Sequence, residues 1–224
     1  MSDQLYVRLQ QLLDTFILAA PPAPALLEIL RIRFTPAEAE VALVLGSKRH
    51  TAAAVAVSAS QSPAVVEAKL EQMATKGLVF KETKTKDGVT QVVYGLLPTA
   101  VGLWETSFAK GERNGETEKL ARYWREYYDS GWGKMMHSSS TSFCRVVPIA
   151  KSIPRGQEVY SYERAFDLIK QQGYACVLHC ACRTAAVLDG KGCGKPTEVC
   201  MHFGKMARFL VEKGYAALAA SDVR

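Results

Sequence analysis

Cysteine is absent from the first 143 residues of this 224-residue chain, so nothing in that stretch is held by disulfides or does thiol chemistry. Long apolar runs are equally scarce. The longest, Phe16 to Leu27, covers twelve residues and is interrupted by Pro21, Pro22 and Pro24, well short of the roughly 20 that a membrane span needs. The opening Met1-Ser2-Asp3-Gln4 carries no basic region ahead of an apolar stretch, so no signal peptide is expected and the chain reads as cytoplasmic, with no membrane contact. Phosphate-binding loop, dinucleotide fingerprint, nucleophile elbow and His-Glu-x-x-His are all missing, which favours a binding or electron-transfer role over catalysis. At 48% hydrophobic and 22% charged, the composition is that of a globular protein with room for two small domains.

The net charge is +6, which raises the question of nucleic acid. Its distribution answers against the simplest version. Residues 1–34 hold three basic and three acidic side chains, and residues 35–105 hold seven of each. The entire excess, 18 basic against 12 acidic, falls in residues 106–224, the part that also holds every cysteine.

Residues 3–19 carry a helical apolar stripe of Leu5, Leu9, Leu12, Leu13 and Phe16, broken by the prolines at 21–24. That stripe has no obvious mate within the chain, so a homodimer is expected to cover it. A second helix is predicted from Ala25 to about Arg33. Thr35-Pro36-Ala37-Glu38 has the form of a helix start, with Gly46 as its stop, and Ser62 caps a helix from Pro63 to Lys76. After Gly77, residues 78–83 and 90–96 alternate as two strands around the Lys86-Asp87-Gly88 turn.

This order resembles a winged helix-turn-helix module over residues 35–105. The would-be recognition helix offers Glu67, Lys69, Glu71, Gln72 and Lys76, with little net charge, where base-reading helices present Arg, Lys, Asn or Gln. Docking or dimerisation is therefore favoured over DNA binding.

Residues 106–142 read as a helical linker, with a helix at 116–128 and a Gly/Ser-rich loop at 131–142. Residues 143–224 form the cysteine-bearing domain: a strand over 143–149, a helix over 159–172, and a strand at 175–178. Cys144 and Cys176 read as buried small residues on those strands.

The remaining four cysteines crowd together as Cys180-x-Cys182, ten residues, Cys193, six residues, Cys200. Four thiolates on loops around the Gly190–Gly194 turn can converge on one centre. Cys200 is expected to open a helix from Met201 to Lys213, whose N-terminus favours a thiolate. Structural zinc takes four cysteines, usually in pairs two to four residues apart, which suits this spacing poorly. A [4Fe–4S] cluster tolerates uneven spacing, although the C-x2-C-x2-C run of common ferredoxins is missing. His179 and His202 flank the cysteines and are not favoured as ligands.

From Phe34 to Tyr215 the chain resembles a family of iron–sulfur proteins of anaerobic bacteria and archaea that join a winged-helix-like region to a [4Fe–4S] segment. The resemblance rests on Cys180-Ala181-Cys182-Arg183, Gly192-Cys193 and Cys200-Met201-His202-Phe203-Gly204, with Arg145-Val146-Val147-Pro148 and Lys195–Val199 in keeping. It implies an α+β chain: a winged helix-turn-helix-like domain followed by a small α/β cysteine-rich domain. One [4Fe–4S] cluster would be held by Cys180, Cys182, Cys193 and Cys200. Arg183, beside a ligand, would offset cluster charge, as would Lys191, Lys195, Lys205 and Arg208. Longer members continue into a second cysteine-dense region and a two-cluster ferredoxin-like domain. The resemblance thus implies a one-cluster version that exchanges single electrons with a protein redox partner. The alternatives are a redox- or oxygen-sensing DNA-binding regulator and a structural zinc protein.

Overall fold

Hydroxyl and proline residues set the helix starts of the N-terminal half. The computed structural model describes residues 2–138, 167, 169–216 and 218–220. After α1 (Ser2–Asp14), Pro24 begins α2 (Pro24–Arg33). Thr35 and Glu38 form a reciprocal capping box for α3 (Pro36–Leu45), satisfying backbone donors that a helix start otherwise leaves open. Thr51 caps α4 (Ala52–Ala59), and Ser62 caps α5 (Pro63–Thr75). The hairpin of β1 (Val79–Lys86) and β2 (Val89–Leu96) turns at Asp87 and Gly88, both at positive φ, the geometry that matches strand twist.

α1 is shorter than the 3–19 helix expected from its stripe, and it finds its mate inside the chain. It packs on α2 and α3, with Leu9 and Leu13 wholly buried. The Tyr6 hydroxyl donates to the Phe34 carbonyl at 2.9 Å, and the Gln10 amide donates to the Ala20 carbonyl at 2.6 Å. The covered stripe removes the reason for expecting a second copy there.

Next come α6 (Trp104–Phe108), α7 (Gly115–Tyr127) and the short α8 (Gly133–Met136). The last lies in the stretch read as a loop. It follows Trp132, whose ring stacks on Tyr127 at 5.0 Å and whose indole N–H donates to the Ala19 carbonyl at 3.2 Å. Trp124, fully buried, meets Trp104 edge-on at 5.3 Å and Trp132 at 5.5 Å.

The C-terminal part comprises β3 (Ala175–His179), α9 (Ala181–Leu188), β4 (Glu198–Phe203), α10 (Gly204–Glu212) and β5 (Leu218–Ala220). Its antiparallel sheet has the order β4-β3-β5. The architecture is therefore mixed helix and sheet, α+β. The strand expected over 143–149, with Cys144, lies outside the described residues. So does most of the 159–172 helix, of which Asp167, Ile169 and Lys170 are helical. No helix among the described residues is long and apolar enough to cross a membrane.

α9 packs against α6 and α7, and α10 packs across β3, β4 and β1. At the β1 contact the Phe80 and Phe209 rings lie 5.0 Å apart. Glu82, with a side chain 4% exposed, takes Lys205 at 2.5 Å and also Arg49. Glu71 takes Lys213 at 2.7 Å, Lys81 at 2.8 Å and the Tyr94 hydroxyl at 2.5 Å. Burial opposes ionisation of Glu71, but the hydrogen bonds from Lys213, Lys81 and Tyr94 outweigh it and hold its carboxyl at about 2.

Because the folded pKa of Glu71 lies below its ordinary 4.5, this carboxylate contributes stability above about pH 4.5 and loses it as pH falls toward 2. Melting temperature followed through that window is expected to fall more steeply in the native chain than in Glu71→Gln. Trp124→Ala, which empties the centre of the aromatic cluster, is expected to cost about 3–5 kcal/mol in urea unfolding.

Candidate functional site

β3 delivers the first two cysteines. Its end is pinned to the turn after α6, where the His179 N–H donates to the Ala109 carbonyl at 3.2 Å. The His179 ring lies over Gly111, where a Cβ would come within 2.5 Å of it, and a φ of +69° also favours glycine there. The chain then turns at Cys180, whose N–H donates to the Thr197 carbonyl at 2.6 Å, and enters α9 with Cys180 as N-cap. Cys182 therefore falls in the first turn of a helix, not on a loop. Ala181, Ala185 and Ala186 are the local signal for that helix.

β4 delivers Cys200, directly across from Leu178 of β3. This corrects the expectation that Cys200 opens a helix. It lies within a strand because residues 198–203 pair with β3, and α10 starts only at Gly204. The helix N-terminus near the thiols is that of α9.

The sulfurs of Cys180, Cys182 and Cys200 consequently act on one another. Burial, and then the neighbouring Cys180, Glu105 and Cys182, push the Cys200 thiol up to about 11. Burial and the neighbouring Cys180 also push Cys182 up, against a hydrogen bond that the Trp104 indole N–H gives its sulfur. Burial raises Glu105 as well, despite the Gly102 N–H donating to it at 2.5 Å. His202 Nε2 stands 3.8 Å from the Cys200 sulfur, and burial lowers its pKa.

Cys193 is exposed on the loop between α9 and β4 and makes no hydrogen bond to the other thiols among the described residues. Cys176 is buried in β3 opposite His202, as expected. Arg183, predicted to offset cluster charge, donates to the Pro196 carbonyl at 2.7 Å and so ties α9 to the Cys193 loop. Lys205 is engaged by Glu82, Lys191 by Asp189 at 3.0 Å, and Arg208 lies 4.5 Å over the Tyr174 ring. Among the described residues, no group of three or more Cys, His, Asp or Glu side chains is placed to hold a metal ion. Trp104 and Glu105 escaped sequence reading because they lie some 75 residues upstream and belong to no motif. No family model, curated protein or solved structure matches the chain.

Exposure and thiol acidity set an order of reaction. In the metal-free, reduced chain at about pH 8, mass-mapped alkylation is expected to modify Cys193 first. Cys176 and Cys200 should be slowest, Cys200 by on the order of a hundredfold relative to a thiol of ordinary pKa.

Proposed function

We propose that the chain binds one [4Fe–4S] cluster through Cys180, Cys182, Cys193 and Cys200 and exchanges single electrons with a protein partner. The observation that carries this reading is that Cys180 and Cys182 open α9 while the β3–β4 pairing sets Cys200 opposite Leu178, two residues before Cys180. Cys193, on the exposed loop that Arg183 tethers, is the fourth donor. A set of four thiols suits this group, and the Cys-x-Cys-Arg, Gly-Cys and Cys-x-x-Phe-Gly resemblance supports the same four residues.

Bound there, a cluster would supply a one-electron couple. The chain's own residues set its surroundings. Pairing of β3 with β4 fixes the position of Cys200 relative to Cys180. The N-terminus of α9 favours negative charge on Cys180 and Cys182. Arg183 acts as a positioning residue for the Cys193 loop. All four donors being cysteine leaves no open ligand position, which favours electron transfer over substrate chemistry.

On this reading residues 35–105 are a winged helix-turn-helix-like domain, supported by α3, α4 and α5 followed by the β1–β2 hairpin. Its role is docking. Lys76 is held by Glu38 at 2.6 Å, Lys81 by Glu71 and Glu212, and Lys84 lies 3.8 Å from Glu82. These pairs engage Lys76 of the would-be recognition helix and Lys81 and Lys84 of the wing.

Iron, sulfide and zinc measured on one anaerobic preparation test the proposal. About four irons and four sulfides per chain are expected, with a broad visible band that bleaches on reduction. Cys193→Ser should lose more than half of the iron with an unchanged far-ultraviolet circular dichroism spectrum. One zinc per chain with negligible sulfide would overturn the reading in favour of a structural metal site.

A further inference from the structure

All three tryptophans of the chain line one cleft. Trp104 opens α6, Trp124 lies on α7, and Trp132 immediately precedes α8. Each indole N–H is already engaged. Trp104 gives its own to the Cys182 sulfur, Trp124 to the Ser107 hydroxyl at 3.4 Å, and Trp132 to the Ala19 carbonyl at 3.2 Å. What the tryptophans offer the cleft is therefore ring surface, not hydrogen-bond donors. Trp124 and Trp132 are buried, Trp104 is half-buried, and Tyr128, which lines the same cleft, is 42% exposed. The volume is about 390 Å³, within the range of small-molecule sites. Of the four clustered cysteines only Cys182 lines it.

Two carboxyls, of Glu105 and Asp189, also line the cleft. Asp189 is answered by Lys191 at 3.0 Å and by the Arg125 guanidinium at 3.6 Å. Glu105 differs. It accepts from the Gly102 N–H at 2.5 Å, yet no Lys, Arg or His among the described residues pairs with it or lowers its pKa, and burial raises it. Aromatic faces carry partial negative charge and attract cations, most strongly where water is excluded. A carboxyl without a countercharge selects for the same sign. Ring surface and carboxyl thus converge on one kind of ligand, apolar in body and positive at one end.

We propose that this cleft binds a small arylalkylammonium ion, whose N–H groups donate to the Glu105 carboxylate and whose ring lies against Trp104 and Tyr128. The inference stands on ring surface and charge at α6, α7 and α8 and does not depend on a cluster being bound.

The test titrates the full chain with phenethylammonium chloride and, separately, with its neutral counterpart 2-phenylethanol at constant ionic strength. Because every tryptophan lines the cleft, indole fluorescence reports its occupancy, and melting temperature gives a second readout. Saturable binding of the ammonium ion is expected, about tenfold tighter than that of the alcohol, with a rise in melting temperature. Glu105→Gln, which keeps an acceptor for the Gly102 N–H, should erase that preference while the alcohol binds as before. Tyr128→Leu, at an exposed side chain, should weaken the ammonium ion about fivefold and leave the ligand-free melting temperature unchanged. Should Glu105→Gln fail to fold, Tyr128→Leu and the comparison of the two ligands decide. Equal affinity for ion and alcohol, no saturable binding, a preference that persists in Glu105→Gln, or an ammonium affinity unchanged in Tyr128→Leu would overturn the proposal.

Discussion

The contact of Phe80 on β1 with Phe209 on α10, together with the packing of α9 on α6 and α7, is the constraint through which the cysteine-bearing part is held. Two buried rings remove apolar surface from water, each on the order of a few kcal/mol. Charged pairs flank the ring contact, the buried Glu82 with Lys205 and the part-exposed Glu71 with Lys213. β4 runs directly into α10 at Gly204, so fixing α10 fixes Cys200. β4 in turn pairs with β3, which ends at Cys180. The thiols are thus positioned by a contact made more than a hundred residues earlier in the chain.

The same docking spends charge that would otherwise face the sulfurs. Lys205 goes to Glu82, Arg183 to a carbonyl, Lys191 to Asp189, and Arg208 to an aromatic face. Burial, with the neighbouring sulfurs and Glu105, raises the Cys200 and Cys182 thiols, and burial raises the Glu105 carboxyl. Closeness in sequence to a ligand is a poor guide to electrostatic partnership, because a long cationic side chain pairs with whichever carboxylate the fold presents. Lys81 and Lys84 make the same point on the hairpin, where Glu71 and Glu82 claim them.

Much of the fold was legible in the sequence wherever the signal was local. Thr35, Ser62 and Pro36 announced helix starts, Asp87-Gly88 announced the hairpin, and the helix expected over 116–128 stands as Gly115–Tyr127. Around the cysteines, the burial of Cys176 was legible. The placement of Cys200 was not, because an alternation of apolar residues over 198–203 is too short to separate a strand from a helix start without the partner strand. The helix at Ala181 was hidden by the cysteines that dominate its first turn.

The sequence by itself determined where helices begin, where the hairpin turns and which residues can act as thiol donors. Backbone propensity, capping and side-chain chemistry act over a few residues, so they can be read from a few residues. Tertiary structure decided which thiols meet, what surrounds them and which charges remain free. Trp104 and Glu105 reach the cysteines only because α9 packs on α6, and Arg33 meets the Lys76 carbonyl and the Thr106 hydroxyl only because the end of α5 and α6 come together there. Those outcomes depend on packing between elements distant in sequence, and no local window contains the energy that selects them.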